Sequence, residues 1–384
     1  MTTNLNVKIL FLSFLRLGAT AFGGPATIAH IKALSVERKR WLDEETYNEG
    51  IVLCQSIPGA TAMQMAAYVG LRAHGIFGAL ASYVGFGLPA FIFMLALSTC
   101  YAGAHKLSSV VSLFSGLQVI IVALVANATY TFGKSVLKNY RLVLLAVASA
   151  ISFGKGVSPF LVILGAGATG ACFLSNPGGV HEPPSPVKMK SAYGAAVTLI
   201  ALLIGGLITL YIADKALFHL ASLMLKIDLF AFGGGFASVP LMLHEIVEVR
   251  GWMDSRTFMD GIALGQITPG PIVITSTFVG YLLHGLVGSM VATIAIFTPS
   301  FLILAVAAPV FGRMKSSKFF LGITKGIFVS FVGLLFFTTI KFAFDVPWDS
   351  IRVLLCLASL GALVTKIDII CVVLIGAIIS LFMF

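Results

Sequence analysis

Two basic residues occupy equivalent places in apolar segments of this sequence. Arg16 and Lys226 each lie six residues before a Phe-Gly-Gly phrase, which begins at Phe22 in the first segment and at Phe232 in the second. An ionised side chain deep in a membrane segment costs at least about 2.5 to 3.5 kcal/mol, so it usually faces a cavity or a partner. Two such charges favour the binding of a divalent oxyanion. The alternatives are snorkelling to an interface and pairing of Lys226 with Asp228.

Glycine and proline interrupt the apolar segments at matched places, and each break starts a new helix. The breaks are Gly23-Gly24-Pro25 and Pro58-Gly59 in the first half, and Gly233-Gly234 and Pro269-Gly270 in the second. A helix that begins inside a membrane directs unpaired N–H groups and the positive end of its dipole into the protein. Glycine also lets a ligand approach the backbone closely. Together the breaks predict an anion site, and close helix packing is the alternative explanation.

Other polar residues accompany the breaks. Gln55 and Gln266 each lead into a Pro-Gly pair, and Glu49 and Asp260 each lie six residues before that glutamine. The glutamines could hydrogen-bond the substrate, whereas the acids could carry a coupling proton, hold a basic counter-charge or lie on an exposed amphipathic face. His30 has no aligned histidine and is a candidate for proton coupling or substrate contact. The predicted substrate-binding residues are Arg16, Phe22, Gly23, Gly24, Pro25, His30, Gln55, Pro58, Gly59, Lys226, Phe232, Gly233, Gly234, Gln266, Pro269 and Gly270, and the coupling candidates are Glu49, Asp228 and Asp260.

The composition is that of a polytopic membrane protein. Of the 384 residues, 58% are hydrophobic and only 10% are charged, with a mean hydropathy of +1.02. A soluble domain has about 25% charged residues. The net charge of +10 comes from basic residues in short loops, as the positive-inside rule expects, and this argues against nucleic-acid binding. The five cysteines are scattered, so no metal site and no cofactor are predicted. The first apolar run is expected to be a retained helix and not a cleaved signal peptide.

The two halves of the sequence match well beyond the Phe-Gly-Gly phrase. Trp41, Asp43, Thr46, His74-Gly75 and Pro89 align with Trp252, Asp254, Thr257, His284-Gly285 and Pro299. We therefore expect an all-α membrane protein with homologous repeats at 1–175 and 214–384, joined by a polar linker and a connecting transmembrane helix at 176–213. Basic residues cluster in non-equivalent loops of the two halves. This charge pattern predicts an inverted repeat with broken or re-entrant helices.

These motifs resemble a known family. The stretches FGGPATIAHI, RKRWLDEETY and CQSIPGATAMQ in the first half, and FGGGFASVPLM and RGWMDSRTFMDGIALGQITPGP in the second, are similar to the chromate ion transporter family in its long, two-domain form. The resemblance implies an inner-membrane carrier that exports chromate, a tetrahedral divalent oxyanion close to sulfate in size and charge, and that uses ion gradients instead of ATP. One departure is Pro58-Gly59-Ala60, where the family more often has Pro-Gly-Pro, as at Pro269-Gly270-Pro271.

The sequence as a whole predicts a secondary transporter of a divalent oxyanion. The main expectation is chromate efflux across the cytoplasmic membrane giving chromate resistance, with the oxyanion and the lipid bilayer as partners. A carrier of sulfate or another small anion and an anion channel are the alternatives, and homodimer formation is left open. An enzyme is not expected, because the scattered histidines and cysteines offer neither a nucleophile with a positioned base nor a metal cluster. An ATP-driven pump is disfavoured because the sequence contains no Walker A motif.

Overall fold

The protein is built from helices. The computed structural model describes residues 6–22, 24–174 and 190–384, and no strand occurs in these ranges. Gly23 and most of the predicted linker, residues 175–189, lie outside them. The helices are α1 (Val7–Thr20), α2 (Gly24–Lys32), α3 (Glu44–Ser56), α4 (Thr61–Ala104), α5 (Ser108–Val136), α6 (Tyr140–Gly154), α7 (Pro159–Phe173), α8 (Lys190–Ala213), α9 (Lys215–Phe230), α10 (Ser238–Met242), α11 (Ser255–Ile267), α12 (Thr275–Ala307), α13 (Phe311–Lys315), α14 (Lys318–Asp345), α15 (Ser350–Val364) and α16 (Ile369–Met383).

The long helices have the dimensions of membrane spans. Within the described ranges, four segments are long and apolar enough to cross a bilayer: α4, α5, Ile272–Ala307 and α14. Large apolar side chains on the outside of the helices, such as Phe77 at 72% exposure and Phe382 at 85%, have no protein cover. Such a surface is stable against lipid and not against water. The chain is therefore a multi-pass, all-α membrane protein, as predicted.

The predicted Pro-Gly breaks are present in both halves. Helix α3 ends at Ser56 and α4 begins at Thr61, while α11 ends at Ile267 and α12 begins at Thr275. Gly59 has φ +117° and Gly270 has φ +109°, so both adopt a conformation that side chains with a Cβ rarely tolerate. The second half inserts a 3-10 turn, Ile272–Ile274, before its helix begins. The backbone of the break is thus the same in the two halves, although the helix that follows starts differently.

A second pair of breaks lies inside the two long helices. His74-Gly75 in α4 and His284-Gly285 in α12 have non-helical dihedral angles, with φ of +64° at Gly75 and +59° at Gly285. The sequence predicts short His-Gly turns at these places. In the structure each turn is a kink, and the helix continues on both sides of it.

Each half also contains a π-helical segment that the sequence analysis did not foresee. These segments are Ala33–Arg38 and Leu243–Val249, and each is followed by an aligned tryptophan. Asp43 then accepts the backbone N–H of Thr46 at 2.7 Å, and Asp254 accepts that of Thr257 at 2.8 Å. The shared Trp-x-Asp-x-x-Thr motif is therefore a helix N-cap. Its hydrogen bonds from Thr46 lower the pKa of Asp43 below its ordinary value.

The helices form two compact units, each of which draws on both halves of the sequence. The first unit comprises the described residues of Met1–Ala96, His181–Gly235 and Thr268–Ser316. In it α1 lies close to α4, since a Cβ on Gly18 would overlap the carbonyl oxygen of Phe86. The equivalent helices of the second half, α9 and α12, are also packed together, and the connecting helix α8 contacts both. This unit contains the Phe-Gly-Gly phrases and the Pro-Gly breaks.

In the second unit, the halves exchange their terminal helices. The unit comprises the described residues of Leu97–Val180, Phe236–Ile267 and Ser317–Phe384. Helix α5 of the first half packs against α15 and α16 of the second, and the equivalent helix α14 packs against α6 and α7 of the first. The four terminal helices have 15 residues each, which is about 22 Å and shorter than the roughly 30 Å hydrocarbon core. The reciprocal pairing interlocks the two homologous halves.

Candidate functional site

The Pro-Gly break of each half is hydrogen-bonded to the Phe-Gly-Gly phrase of the other half. The backbone N–H of Gly59 donates to the carbonyl oxygen of Ala231 at 2.9 Å, and that of Gly270 donates to the carbonyl oxygen of Ala21 at 3.3 Å. Ala21 and Ala231 are aligned residues that directly precede Phe22 and Phe232. All four breaks that the sequence predicts therefore meet in the first unit, in two equivalent pairs.

Packing around the two break glycines is reciprocal as well. A Cβ on Gly59 would overlap the Cβ of Ser300, whereas a Cβ on Gly270 would lie 2.9 Å from the Cβ of Ala90. Ser300 and Ala90 are aligned, since each directly follows the proline inside its long helix. Each break glycine thus packs against the proline kink of the other half. This pattern of contacts is that of a local two-fold axis.

The start of α4 supplies free backbone donors beside this centre. The first carbonyl to accept a helical bond is that of Ala60, from Gln64 N–H at 3.0 Å, so the N–H groups of Thr61, Ala62 and Met63 precede the helical ladder. The Thr61 hydroxyl lies 3.7 Å from the position of a Cβ on Gly234. The hydroxyl and the backbone donors of this turn are therefore close to the second Phe-Gly-Gly phrase.

The second half offers fewer donors at the equivalent turn. Pro271 has no N–H and stands where the first half has Ala60, and the N–H of Ile274 is used by the carbonyl oxygen of Pro271 at 3.0 Å. The departure from the Pro-Gly-Pro pattern in the first half therefore adds a backbone donor at that break. The two breaks are alike in backbone conformation and unequal in what they can donate to an anion.

Several polar side chains pack around the first break. The Gln64 side chain donates to the carbonyl oxygen of Pro58 at 2.5 Å, and its Oε1 is buried without a partner. The backbone N–H of Ser300 donates to Asp228 at 2.7 Å, and the hydroxyls of Ser300 and Tyr83 are 3.0 Å apart. The residues aligned with Asp228 and Ser300 are Gly18 and Ala90, which are not polar. The sequence analysis singled out Asp228 but missed Gln64, Tyr83 and Ser300.

The two predicted basic residues have accessible side chains. Arg16 in α1 and Lys226 in α9 are both exposed in the isolated chain, in contrast to Asp228, which is 1% exposed. His30 near the end of α2 is exposed, and so is Gln55 near the end of α3. Exposed side chains can reach a ligand, and they can also contact water or lipid headgroups.

The remaining predicted site residues differ in burial. Gln266 is partly buried, and its Nε2 has no hydrogen-bond partner, in contrast to the exposed Gln55. The prolines Pro58 and Pro269 are buried, and Phe22 and Phe232 are half-buried. Gly24 and Pro25 form the start of α2, whereas Gly23 lies outside the described residues. Gly233 and Gly234, with φ of +95° and +94°, form the turn that follows α9.

Glu49 and Asp260, which are aligned in the sequence, have different surroundings. Glu49 is 3.9 Å from Arg72, a basic counter-charge of the kind considered above. Asp260 lies in the second unit, is 7% exposed, and accepts hydrogen bonds of 2.8 Å from both the Tyr101 hydroxyl and the Gln118 side chain. Each acid is therefore already held by a partner within its own unit.

A charged cluster in the second unit was not predicted. His244 lies 2.9 Å from Glu248 through its Nδ1, and Lys341 forms an ion pair with the same carboxylate. Arg250 pairs with the neighbouring Glu245. The local signal for this cluster was the i,i+4 spacing of His244 and Glu248.

One cavity of the first unit does not fit an anion. It has a volume of about 770 Å³ and lies among α4, α8, α9 and α12. Its lining is made of apolar side chains with a few hydroxyls, such as those of Tyr83 and Thr293, and contains no charged residue. A dianion would lose its hydration there without compensation. The break region, with its backbone donors, is the better anion site.

The described residues offer no metal chemistry. No group of three or more His, Cys, Asp or Glu side chains that could hold a metal ion is found among them. The available chemistry is hydrogen bonding by backbone N–H groups and hydroxyls, charge from accessible basic residues, and one buried carboxylate with an unbonded oxygen. Such an arrangement suits reversible binding of an anion.

Comparisons with known proteins agree with the repeat. A family model described as chromate transporter matches residues 8–171 and again residues 218–381. The chain is 43% identical to an uncharacterized transporter of Methanocaldococcus jannaschii over 97% of this chain and 93% of the relative. It is 31% identical to the chromate transport protein of Cupriavidus metallidurans over 86% of this chain and 80% of the relative, and 30% identical to that of Pseudomonas aeruginosa over 87% and 80%. No solved structure matches the chain. The repeated match and the extent of these similarities show that the chain belongs to the chromate transporter family.

Proposed function

We propose that the protein is a secondary transporter that exports chromate across the cytoplasmic membrane and thereby gives resistance to it. Relatives that span most of the chain carry the name chromate transport protein, which supports the substrate. The absence of a Walker A motif from the sequence supports the use of an ion gradient. Sulfate has the same shape and charge as chromate, so it is the nearest competing substrate.

The single observation that carries the proposal is the reciprocal contact between the helix breaks. Carriers built from repeats bind their substrates where broken helices of the two halves meet, because half-helix N-termini there face the ligand. In this chain Gly59 contacts Ala231 and Gly270 contacts Ala21, so breaks of opposite halves meet twice. Backbone N–H groups at these breaks would bind the oxyanion, with charge supplied by Arg16 and Lys226 and further hydrogen bonds by Gln55 and Gln266.

Transport in everted membrane vesicles tests the proposal. In such vesicles an exporter accumulates substrate, so we expect labelled chromate to accumulate when an ion gradient is imposed, and excess sulfate to reduce the accumulation. Vesicles without the protein provide the background. Accumulation of neither anion would overturn the assignment of a divalent oxyanion, and accumulation in right-side-out vesicles only would overturn export. A conductance far above carrier turnover, measured in planar bilayers, would instead identify an anion channel.

Variants of the two basic residues test the binding site. Arg16→Gln and Lys226→Gln remove one positive charge each, and we expect each to reduce chromate transport about tenfold or more, the equivalent of about 1.4 kcal/mol. Lys8→Gln and Lys215→Gln are matched controls, because these exposed lysines lie at the starts of the same helices α1 and α9. Normal transport by both test variants, at equal amounts in the membrane, would remove these residues from the site.

A further inference from the structure

Asp228 is a buried carboxylate with one unbonded oxygen. It is 1% exposed; one of its oxygens, Oδ2, accepts the backbone N–H of Ser300 at 2.7 Å, and the other, Oδ1, has no hydrogen-bond partner. An ionised carboxylate with a bare buried oxygen is unfavourable, because nothing replaces the lost hydration of that oxygen. A proton on Oδ1 would remove the charge and leave the bond to Ser300 intact.

The neighbouring elements offer no counter-charge to this carboxylate. Helix α12 presents Ser300, which is neutral, and α4 presents Tyr83, whose hydroxyl is hydrogen-bonded to Ser300 and to the carbonyl oxygen of Phe297. Helix α8 also packs against α9 and contains no charged residue over 197–213. On α9 itself, the nearest basic residue is Lys226, whose side chain is exposed. No described cation on these elements therefore holds the ionised form of Asp228 in place, so its protonation can respond to an anion that binds nearby.

Asp228 lies directly beside the first Pro-Gly break. Ser300, which binds the carboxylate through its N–H, is packed against Gly59 so closely that a Cβ on the glycine would overlap it. Gly59 in turn is bonded to Ala231, three residues after Asp228. A negative charge on Asp228 would repel a dianion held by the backbone donors of Thr61, Ala62 and Met63, which follow Gly59, and a neutral Asp228 would not.

We propose that Asp228 is a proton-binding residue, and that Oδ1 takes up a proton when a dianion binds at the Pro-Gly break and releases it when the anion leaves. The inference rests on the proposed function and makes the proton a co-substrate of the dianion. One proton and one dianion together carry a net charge of −1, so a membrane potential that is negative inside drives their export. The step is a simple acid–base reaction in which a proton from water adds to Oδ1 on binding and returns to water on release. It selects Asp228 from the three acidic candidates, because Asp260 and Glu49 already have partners.

Proton uptake by the purified protein gives a direct test. In weakly buffered solution with a pH indicator, the wild-type protein should take up protons when chromate or sulfate is added, and Asp228→Asn should take up none. The matched control is Asp214→Asn on the same helix, because Asp214 is the exposed N-cap residue of α9 and asparagine caps a helix equally well. Comparing variants at one pH cancels any titration of the substrate itself.

Exchange in proteoliposomes separates coupling from transport. With equal pH on both sides, Asp228→Asn should still exchange labelled for unlabelled chromate, since asparagine resembles the protonated acid. A gradient of one pH unit, acid outside, should raise accumulation by the wild type about tenfold, because one proton enters with each anion. The same gradient should not stimulate the variant. Asp228→Glu restores a titratable group and should recover part of the proton uptake. This second variant keeps the test decisive if asparagine disturbs folding.

The outcomes distinguish the two proposals. If the wild type neither binds nor exchanges chromate or sulfate, the proposed function fails. If the wild type exchanges chromate but Asp228→Asn keeps full proton uptake and full stimulation by the pH gradient, Asp228 is not the proton-binding residue. Stimulation of the wild type by a sodium gradient, with no effect of pH, would also overturn the inference, because the coupling ion would then be Na⁺.

Discussion

At the scale of single residues, the two halves share backbone conformation and differ in side chains. Gly59 and Gly270 have nearly the same φ and contact aligned partners, but the partner is Ser300 in one case and Ala90 in the other. Ser300 adds a hydroxyl beside the first break, and its backbone N–H binds the carboxylate of Asp228. An anion held near the local two-fold axis would therefore meet unequal surroundings on its two sides, with the carboxylate of Asp228 on one of them.

Replacement of the break glycines tests whether this backbone is needed. Gly59→Ala combines a strained φ with overlap at Ser300, so we expect transport to fall about tenfold or more and the free energy of unfolding to fall by roughly 1–3 kcal/mol. Gly270→Ala should have a smaller effect, since the nearest atom, Ala90 Cβ, is 2.9 Å away. Labelled-chromate uptake and thermal unfolding in detergent measure the two quantities.

Gly165→Ala is the control for these glycine variants. Gly165 lies in α7, and a Cβ there would have no heavy atom within 4 Å. We expect unchanged transport and equal or higher stability, because alanine is the better helix former. Equal transport by Gly59→Ala and Gly165→Ala would show that the positive φ at the break has no role in binding.

At the scale of elements, the features that could be predicted from the sequence are those that one or two residue types determine. Pro-Gly breaks and Asp N-caps could be predicted because a proline lacks an N–H, a glycine tolerates positive φ, and an aspartate caps the helix that follows it. The π-helical segments Ala33–Arg38 and Leu243–Val249 could not, because no residue type marks the extra residue of a π turn. The alignment of the halves placed both segments before equivalent tryptophans, but alignment alone does not reveal their hydrogen bonding.

Contacts between distant residues were the other part that the sequence did not reveal. Ser300 and Tyr83 are ordinary residues of apolar helices, and their importance arises only because α12 and α4 place them beside Asp228 and Gly59. The His244–Glu248–Lys341 cluster likewise depends on the approach of α14. The helix breaks of the candidate site were thus predictable from the sequence. Asp228 could be named as a candidate, but the residues that surround it could not be predicted.

The kinks within α4 and α12 are elements that can be tested separately. Gly75 has φ +64° and ψ −156°, a region that is essentially restricted to glycine, and a Cβ there would have no heavy atom within 4 Å. We therefore expect Gly75→Ala to lower the free energy of unfolding by roughly 1–3 kcal/mol through backbone strain alone. Thermal unfolding in detergent measures the change.

The matched control for the kink is Gly103→Ala in the same helix. Gly103 also has open space at its Cβ position, but its φ is not positive, so alanine should leave the stability unchanged or raise it. If Gly75→Ala were as stable as Gly103→Ala, the kink would straighten without cost. The expectation that the conformation of the kink requires a glycine would then be wrong.

At the scale of the whole molecule, the homologous halves are interlocked within each compact unit. In the first unit, the breaks contact each other across the halves, and in the second, α5 and α14 each pack against the terminal helices of the other half. Neither half could keep these contacts alone. Two copies of one module that exchange contacts in this way are expected in a carrier whose substrate site lies on the axis relating the repeats.

The orientation of the halves relative to the membrane is a prediction of loop charge. Lys134, Lys138 and Arg141 surround the loop after α5. In the second half the unopposed basic residues lie before α14, whereas the loop after it mixes basic and acidic residues, Lys341 and Arg352 with Asp345 and Asp349. If basic loops stay in the cytoplasm, the loops that follow α5 and precede α14 lie on one face. The equivalent loops, before α5 and after α14, then lie on the opposite face, and the repeat is inverted.

Single cysteines in these loops test the inversion. In a variant whose native cysteines are replaced by alanine, we expect Lys138→Cys and Ser316→Cys to be protected from an impermeant maleimide in intact cells, and Lys106→Cys and Pro347→Cys to be labelled. All four positions are exposed loop or helix-end residues, so labelling reports the side of the membrane and not burial. Permeabilised cells provide the control, because all four variants should then react. Labelling of Lys138→Cys and Pro347→Cys from the same side would show that equivalent loops share a face, and the halves would then be parallel repeats.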